Sequence, residues 1–406
     1  MNLITIYPVH PVILSDFYRS LYFRNQVLSF PFERNHFICN FDTQNLGHIS
    51  MMKKPETMSQ KESLLGRSVS QILELLQPLG EPEYRARQIY KWIHHHNVDH
   101  FQEMSNIPKS LRSILSDHFQ LKTLQLAQKT EALDRTEKYL WKLADHRMVE
   151  SVLIPESRRN TICISSQVGC SLGCQFCATG TMGFLRNLTP GEIVEQVLQV
   201  KKLSRHTLTN VVFMGMGEPL INYQRTIQAS QILGDPEGAA IATKKITIST
   251  SGVVPKIYQY TDEAHHYGLA ISLHAPEQKL REKIMPIAMK FPLDELMESV
   301  RYYMRAKKRN RVTFEYVLLS GINDSPAEAR QLISLLSPFR CKLNLIPCNQ
   351  NNLGFHPPAA EHLDKFIKTL LNAPFAITVR KNRGEDITAA CGQLAVEVQE
   401  KAIFMK

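Results

Sequence analysis

The chain shows a long alternation of apolar and amphipathic segments, which begins near residue 161 and continues to about residue 371. Short runs rich in Val, Ile, Leu and Thr predict β-strands at 161–165, 210–214, 245–249, 269–273, 312–318 and 342–346. Apolar residues at helical spacing predict helices between them, near 189–200, 223–233, 293–307, 327–336 and 359–371. This alternation predicts an α/β fold with parallel strands and right-handed crossovers. Functional loops belong at the carboxyl ends of such strands.

The segments upstream of residue 157 have other periods. Apolar stripes at 69–76, 82–96 and 107–118 predict a small helical domain over 58–124, which could contact RNA. Period-two alternation at 139–143 and 149–154, around a turn at 145–147, predicts a β-hairpin extension over 125–156. Residues 1–57 show no sustained period, so we expect a poorly ordered N-terminal extension.

The composition indicates a type of binding partner and a cellular compartment. A net charge of +10 and a pI near 9.1 suit a polyanionic partner such as nucleic acid, although charge that only maintains solubility would look the same. Eight cysteines without regular spacing argue against a secreted disulfide scaffold and fit a reducing compartment. The sequence has no run of eighteen apolar residues and no signal peptide, so we expect a cytoplasmic protein without a membrane partner.

Three cysteines stand close together shortly after the first predicted parallel strand, in an architecture that could be an open sheet or a partial barrel. Cys170, Cys174 and Cys177 have CxxxCxxC spacing, and Phe176 lies where it could shield their sulfurs from water. Three thiolates can hold a 4Fe–4S cluster and leave one iron open to a small molecule. The alternative is a structural zinc site, for which Cys163 or His206 would have to supply the fourth ligand.

Further motifs follow the predicted strands: GMGEP at 215–219, STSG at 249–252, SLHAP at 272–276, NLIPCN at 344–349 and RKNRGEDITAACGQL at 380–394. Together with the cysteine loop, they resemble the RlmN/Cfr family of radical S-adenosylmethionine (SAM) enzymes, which methylate adenosine in RNA, and the RlmN branch in particular. The resemblance covers the chain from about residue 64 onward. It implies a radical SAM core over 157–350, built as a partial (β/α)6 barrel. A C-terminal helix and strand segment over 351–406 would carry a methyl-bearing cysteine.

The resemblance also implies roles for single residues. Cys170, Cys174 and Cys177 would hold the 4Fe–4S cluster. Cys391 would carry the methyl group as S-methylcysteine, and Cys163 would resolve the RNA–protein adduct by disulfide formation. Glu150 matches a proton acceptor, although a surface carboxylate on the hairpin is the alternative. The positions that match SAM contacts are Gly217, Glu218, Ser249, Ser272, Leu273, His274 and Asn349.

The implied activity is methylation of carbon 2 of adenosine in 23S rRNA and also tRNA, with two SAM molecules consumed per turnover. Flavodoxin or ferredoxin would donate electrons, and we expect a monomer. Alternatives are methylation at carbon 8 as in the Cfr branch, another radical SAM activity such as an activase or maturase, and a non-catalytic zinc or iron–sulfur RNA-binding protein. The candidate phosphate contacts are basic: Arg186, Arg301, Arg305, Lys307, Lys308, Arg309, Arg311, Arg380, Lys381 and Arg383.

Overall fold

The computed structural model describes residues 61–307, 311–349, 353–380, 383–389 and 392–393. The predicted N-terminal extension over 1–57 and the proposed methyl carrier Cys391 lie outside the described residues. In the described ranges, no helix is both long enough and apolar enough to span a lipid bilayer.

The first described part is a small helical module. Its helices are α1 (Val69–Leu76), α2 (Glu83–His94) and α3 (Lys109–His118), as the apolar stripes predicted. Ser68 and Gln71 form a capping box that starts α1. A short parallel pair joins the two ends of the module, β1 (Glu62–Ser63) and β2 (Phe119–Gln120).

One twisted sheet organises the rest of the chain. Its antiparallel part contains β3 (Gln125–Glu131), β4 (Glu137–Lys142), β5 (Met148–Glu156) and β6 (Arg159–Cys163). Its parallel part continues from β6 through β9 (Asn210–Phe213), β10 (Ile246–Thr250), β11 (Gly268–Ser272), β12 (Val312–Leu318), β13 (Cys341–Pro347) and β14 (Ala376–Val379). The order across the sheet is β14-β13-β12-β11-β10-β9-β6-β5-β4-β3. The predicted hairpin is therefore part of a larger antiparallel extension, which gains β3 and is continuous with the barrel sheet.

Two short strands stand apart from this sheet and flank the cysteine loop. They are β7 (Gln167–Gly169) and β8 (Phe184–Asn187), and they pair antiparallel to each other. The hairpin that they form holds the cysteine loop above the barrel strands.

Helices separate the parallel strands along the chain, and the first of them lies within the cysteine loop. They are α4 (Ala178–Thr181), α5 (Pro190–Leu203), α6 (Tyr223–Gly234), α7 (Val254–Asp262), α8 (Gln278–Ile284), α9 (Ile287–Lys290), α10 (Leu293–Ala306), α11 (Pro326–Leu336) and α12 (Ala360–Leu370). The start of α5 confirms the capping box expected from its sequence. Thr189 Oγ1 accepts the Glu192 N–H at 3.1 Å, and Glu192 Oε2 accepts the Thr189 N–H at 2.8 Å. Pro190 takes the first helical position, where no N–H is needed.

The segment before Cys391 lies against the turn between β3 and β4. Asp134 accepts the Gly384 N–H at 3.2 Å and lies 3.6 Å from the Arg383 guanidinium. Lys138 Nζ donates to the Thr388 carbonyl oxygen at 3.3 Å. We call this set of contacts the C-terminal clasp; its residues are Leu133, Asp134, Lys138, Arg383, Gly384, Asp386 and Thr388. The clasp joins two parts of the chain that are about 250 residues apart.

Candidate active site

A cavity opens at the carboxyl ends of the parallel strands, where the sequence predicted functional loops. The described strand ends and loops from β7 to the C-terminal segment all contribute to its wall. The cavity brings together nine predicted site residues: Cys170, Cys174, Cys177, Gly217, Glu218, Ser249, Ser272, His274 and Asn349. Leu273 is fully buried beneath the wall and does not line it.

The β7–β8 hairpin fixes the start of the cysteine loop. The Cys170 N–H donates to the Gly183 carbonyl oxygen at 2.9 Å. Gly169 has a φ of +72°, and a Cβ at this residue would lie 1.9 Å from the same oxygen. Only glycine fits at this close approach of two backbones. The first cysteine therefore enters the cavity from a rigid turn.

The three thiols are held in a poorly solvated part of the cavity. Burial raises the pKa of Cys170 to about 12, and it raises the pKa of Cys174 further. The charge of neighbouring thiolates would add to these increases, so the bare protein keeps the thiols of Cys170 and Cys174 protonated. A bound metal removes such protons, because its positive charge compensates the thiolates. Three sulfurs on one cavity wall thus fit the three cysteine ligands of an iron–sulfur cluster.

The described part of the chain contains no ready-made metal site. In these ranges, no three His, Cys, Asp or Glu side chains are gathered in an arrangement that would hold a metal ion. The cysteines share a wall of the cavity, and their ligand role stays a prediction.

Glu218 lies deep in the cavity after β9. Its Oε2 accepts the Ser251 N–H at 2.8 Å, and its Oε1 accepts the Leu220 N–H at 3.0 Å. Burial raises the pKa of Glu218, while these hydrogen bonds oppose that change. The carboxylate therefore ties the GMGEP loop to the STSG loop and presents a negative site to a cationic group of a ligand.

His274 has a backbone that side chains rarely adopt, with a φ of +57°. Its Nδ1 accepts the Val317 N–H at 3.0 Å, so the neutral ring carries its proton on Nε2. Burial lowers the pKa of His274 to about 3, which keeps the ring neutral. The ring stands edge-on to Phe176 with centroids 5.0 Å apart. His274 is thus a fixed, neutral donor at the cavity, and local backbone strain accompanies its placement.

Asn349 holds a polar atom that has no partner among the residues that the structure describes. Its Oδ1 is buried and accepts no hydrogen bond from the residues described. A buried acceptor of this kind usually has a partner, so the position fits a bound molecule with a donor group. Cys348 lies beside it in the cavity wall, and its thiol donates to the Asn349 carbonyl oxygen at 3.3 Å.

Glu150 and Cys163 lie outside the lining of this cavity, on the neighbouring strands β5 and β6. Cys163 pairs with Val152, so the two-residue alternation of β5 puts Glu150 on the same face of the sheet as Cys163. Glu150 is 3% exposed, which contradicts the surface alternative. Its Oε1 lies 3.5 Å from Lys138 Nζ, which also contacts Thr388. Glu150 is therefore linked to the segment that leads to Cys391.

Gly392, the residue after Cys391 in the sequence, lies in the cavity wall. Its carbonyl oxygen accepts the Ala178 N–H at 2.6 Å. A Cβ at Gly392 would lie 3.2 Å from the Phe176 carbonyl oxygen. The C-terminal segment and the cysteine loop thus meet at this point.

Several predicted phosphate contacts are already paired within the protein. Arg186 donates to Asp145 at 2.6 Å and to both oxygens of Glu192 at 2.8 and 2.9 Å. These two carboxylates compensate its charge, so Arg186 anchors β8 to α5. Arg301 pairs with Glu298, and Arg380 lines the cavity.

Sequence reasoning missed two charged groups at the cavity. Glu315 lines the wall and accepts the Asn344 amide at 2.6 Å, and burial raises its pKa. A carboxylate inside the otherwise apolar run of β12 was the available signal. Arg281, on the short helix α8, is fully buried beside the strand ends. Nothing in its local sequence separates it from an ordinary surface arginine.

Comparison with known proteins agrees with this geometry. Residues 164–333 match the family model described as the radical SAM superfamily. Residues 63–121 match the ribosomal RNA large subunit methyltransferase N-terminal domain.

Full-length relatives are similar over most of the chain. A dual-specificity RNA methyltransferase RlmN from Alcanivorax borkumensis is 41% identical over 355 residues, which cover 85% of this chain and 93% of that protein. The protein of the same name from Anaeromyxobacter dehalogenans is 43% identical over 335 residues, or 80% and 90% of the two chains. The crystal structure of a radical SAM methyltransferase from Sphaerobacter thermophilus covers 82% of this chain and 98% of its own, with 41% identity and a TM-score of 0.78. The chain belongs to the RlmN branch of the radical SAM RNA methyltransferases.

Proposed function

We propose that this enzyme methylates carbon 2 of adenosine in 23S rRNA and tRNA, with Cys391 as methyl carrier and Cys163 as resolving thiol. The observation that carries the proposal is the hydrogen bond between Gly392 and Ala178. It joins the neighbour of the proposed carrier to the loop of the proposed cluster ligands. The clasp supports the same arrangement, because it holds residues 383–389 against the β3–β4 turn and against Lys138, which pairs with Glu150.

The cavity residues divide into a cluster site and a SAM site. Cys170, Cys174 and Cys177 would hold the 4Fe–4S cluster, which is reduced by a flavodoxin- or ferredoxin-type donor. The cluster and bound SAM would supply radical chemistry, which suits an electron-poor ring carbon that cannot attack a methyl sulfonium. The groups that would bind and orient SAM are Gly217, Glu218, Ser249, Ser272, Leu273, His274 and Asn349. Leu273 would act through its backbone, since its side chain lies below the wall.

Cys391 and Cys163 would have different roles in the reaction. The Cys391 sulfur first takes a methyl group from one SAM and becomes a thioether. A hydrogen atom would have to be removed from that methyl group before its carbon can bond to adenine. An electron and the ring proton must then leave, and Glu150 or Cys163 accepts the proton. The Cys163 thiolate then attacks the Cys391 sulfur. The carbon–sulfur bond breaks, its electron pair stays on carbon, which takes up a proton, and the two sulfurs form a disulfide.

Covalent trapping tests the assignment of the cysteines. Methylated Cys163→Ala protein should accumulate RNA bound at Cys391, because release needs the Cys163 thiol while Glu150 is still present to accept the ring proton. Cys391→Ala should trap nothing. Cys341 is a matched control, since it is buried in β13 away from the cavity, and Cys341→Ala should release product normally. Normal release by Cys163→Ala, seen on denaturing gels with labelled RNA, would refute the resolving role.

The position of methylation needs a separate measurement. Mass spectrometry of nucleosides from rRNA and tRNA, in cells with and without this protein, should show 2-methyladenosine in both RNAs. Detection of 8-methyladenosine instead would establish the alternative activity at carbon 8.

A further inference from the structure

Arg281 is a fully buried cation whose partners are all neutral. On α8, its Nε donates to the Leu273 carbonyl oxygen at 3.2 Å. Its Nη2 donates to the carbonyl oxygens of Ser251 at 2.7 Å and Ser272 at 3.3 Å. Its Nη1 is buried and makes no hydrogen bond to any residue described. No carboxylate lies within ion-pair distance of it in the described ranges.

A buried guanidinium without an anionic partner is costly. Removing such a charge from water carries a penalty of several kcal/mol, which folded proteins normally offset with a paired charge. Burial lowers the pKa of Arg281 to about 10, so the side chain is still cationic at neutral pH. The orphaned Nη1 and the uncompensated charge together indicate that an anionic group belongs beside Arg281.

The cysteine loop is the neighbour that could supply this anion. Cys174 and Met285 both lie in the cavity wall, and the Met285 N–H donates to the Arg281 carbonyl oxygen at 2.7 Å. The Gln175 N–H donates to the Ile284 carbonyl oxygen at 3.0 Å, which ties the loop to the end of α8. Arg281 therefore lies between the cysteine loop and the ends of β10 and β11.

We propose that Arg281 is a positioning residue that acts as the fixed counter-cation of the cluster and raises the reduction potential of that cluster. The inference rests on the proposed function, since it needs the cluster on Cys170, Cys174 and Cys177. When the flavodoxin- or ferredoxin-type donor gives one electron, the thiolate-ligated cluster becomes more negative by one charge. A cation fixed in a poorly solvated site stabilises the reduced state more than the oxidised state. The same guanidinium fixes the carbonyl ends of Ser251, Ser272 and Leu273 around the proposed SAM site.

A redox titration of the reconstituted cluster, followed by electron paramagnetic resonance, tests this role. In Arg281→Gln, the equilibrium constant for one-electron reduction should fall about tenfold, a decrease of about 59 mV in midpoint potential. Arg281→Lys keeps the positive charge, so its constant should stay within about threefold of the wild-type value. Arg330→Met removes an exposed arginine from α11 and should leave the potential unchanged.

The outcomes distinguish a charge effect of Arg281 from a packing role. A wild-type potential in Arg281→Gln, or equal shifts in the Gln and Lys variants, would overturn the counter-cation role. Loss of the fold in both variants would do the same, because it would assign Arg281 to packing. If Arg281→Gln folds without binding iron while Arg281→Lys binds it, the charge requirement is supported. A wild-type protein that binds no iron would refute the proposed function itself, and the inference with it.

Discussion

The side-chain oxygen of Asn349 indicates a contact with a bound ligand. Its buried Oδ1 accepts no hydrogen bond from the described residues, so a donor group of SAM is expected to supply one. We predict that Asn349→Ala weakens SAM binding about fivefold to tenfold, which corresponds to one lost hydrogen bond of about 1 kcal/mol. Anaerobic titration calorimetry would measure this.

The unliganded Asn349→Ala protein should unfold with nearly the wild-type free energy, because none of the described residues donates a hydrogen bond to this oxygen. Asn349→Asp keeps an acceptor and should bind SAM more tightly than Asn349→Ala. Equal SAM affinity in wild type and Asn349→Ala would show that the oxygen faces no part of the ligand.

Gly217 illustrates a backbone requirement in the same cavity. Its φ is +98°, and a Cβ there would lie 2.5 Å from the Gln167 Cβ. Gly217→Ala should therefore destabilise the protein by more than about 2 kcal/mol, through both backbone strain and overlap. Gly321 has a φ of +69° with open space around it, so Gly321→Ala should cost only about 1 kcal/mol. Urea unfolding of the two variants separates strain from overlap, and equal losses would contradict this account.

At the scale of elements, α5 depends on its capping box. Thr189→Ala removes the acceptor of the Glu192 N–H and should lower the free energy of unfolding by about 1 kcal/mol. Thr189→Ser keeps the hydroxyl oxygen and should recover most of this loss. Denaturant titration checks both values. A full loss in Thr189→Ser would mean that the threonine methyl group, not the cap, provides the stability.

Sequence patterns predicted the buried strands well but missed an exposed strand and a short helix. Strands β6 and β9 to β13 were predicted to within a residue or two, because their apolar runs are nearly continuous. The mostly exposed parallel strand β14 was expected only as part of a C-terminal helix and strand segment. Strand β3 was missed because six of its seven residues are exposed, so the segment has no apolar alternation. Helix α8 was missed as well, since seven residues span too few turns for a clear period.

His94 gives α2 a pH dependence. Its Nε2 accepts the Gly66 N–H at 3.1 Å, and burial lowers the pKa of His94 to about 3. Between pH 6.5 and 3, the unfolded state therefore binds more protons at this residue than the folded state. Stability should fall as the pH falls through this window, by up to about 1.4 kcal/mol per pH unit.

Denaturant unfolding at pH 7.5, 6.5 and 5.5 would measure this dependence. His94→Gln should be less stable at pH 7.5 but show a shallower loss towards pH 5.5. The exposed His118 on α3 is a matched control, and His118→Gln should keep the wild-type slope. A wild-type slope in His94→Gln would assign the pH dependence to other groups.

At the scale of the whole molecule, the site combines distant segments that no local pattern connects. Motif order and the strand-end rule were enough to predict the gathering of the cavity residues. The pairing of Arg186 with Asp145, the burial of Arg281 and the clasp were not predictable, because each depends on contacts between segments far apart in sequence. Periodicity describes which face of an element is buried, but it does not identify the partner.

The C-terminal clasp holds residues 383–389 against the β3–β4 turn. Asp134 and Asp386 each accept a backbone N–H across the clasp, from Gly384 and Leu133. Since these partly exposed bonds contribute about 1 kcal/mol each, the double variant Asp134→Ala/Asp386→Ala should release residues 383–389 from the β3–β4 turn. Methylation of Cys391, followed by intact-protein mass spectrometry, should then slow about fivefold to tenfold. Iron content and SAM affinity should stay at wild-type values, because the cavity residues that would hold both groups are outside the clasp.

Asp364→Ala, on the exposed face of α12, is the control and should change none of these three quantities. A wild-type methylation rate in the double variant would mean that the hydrogen bond between Gly392 and Ala178 is enough to position the methyl carrier.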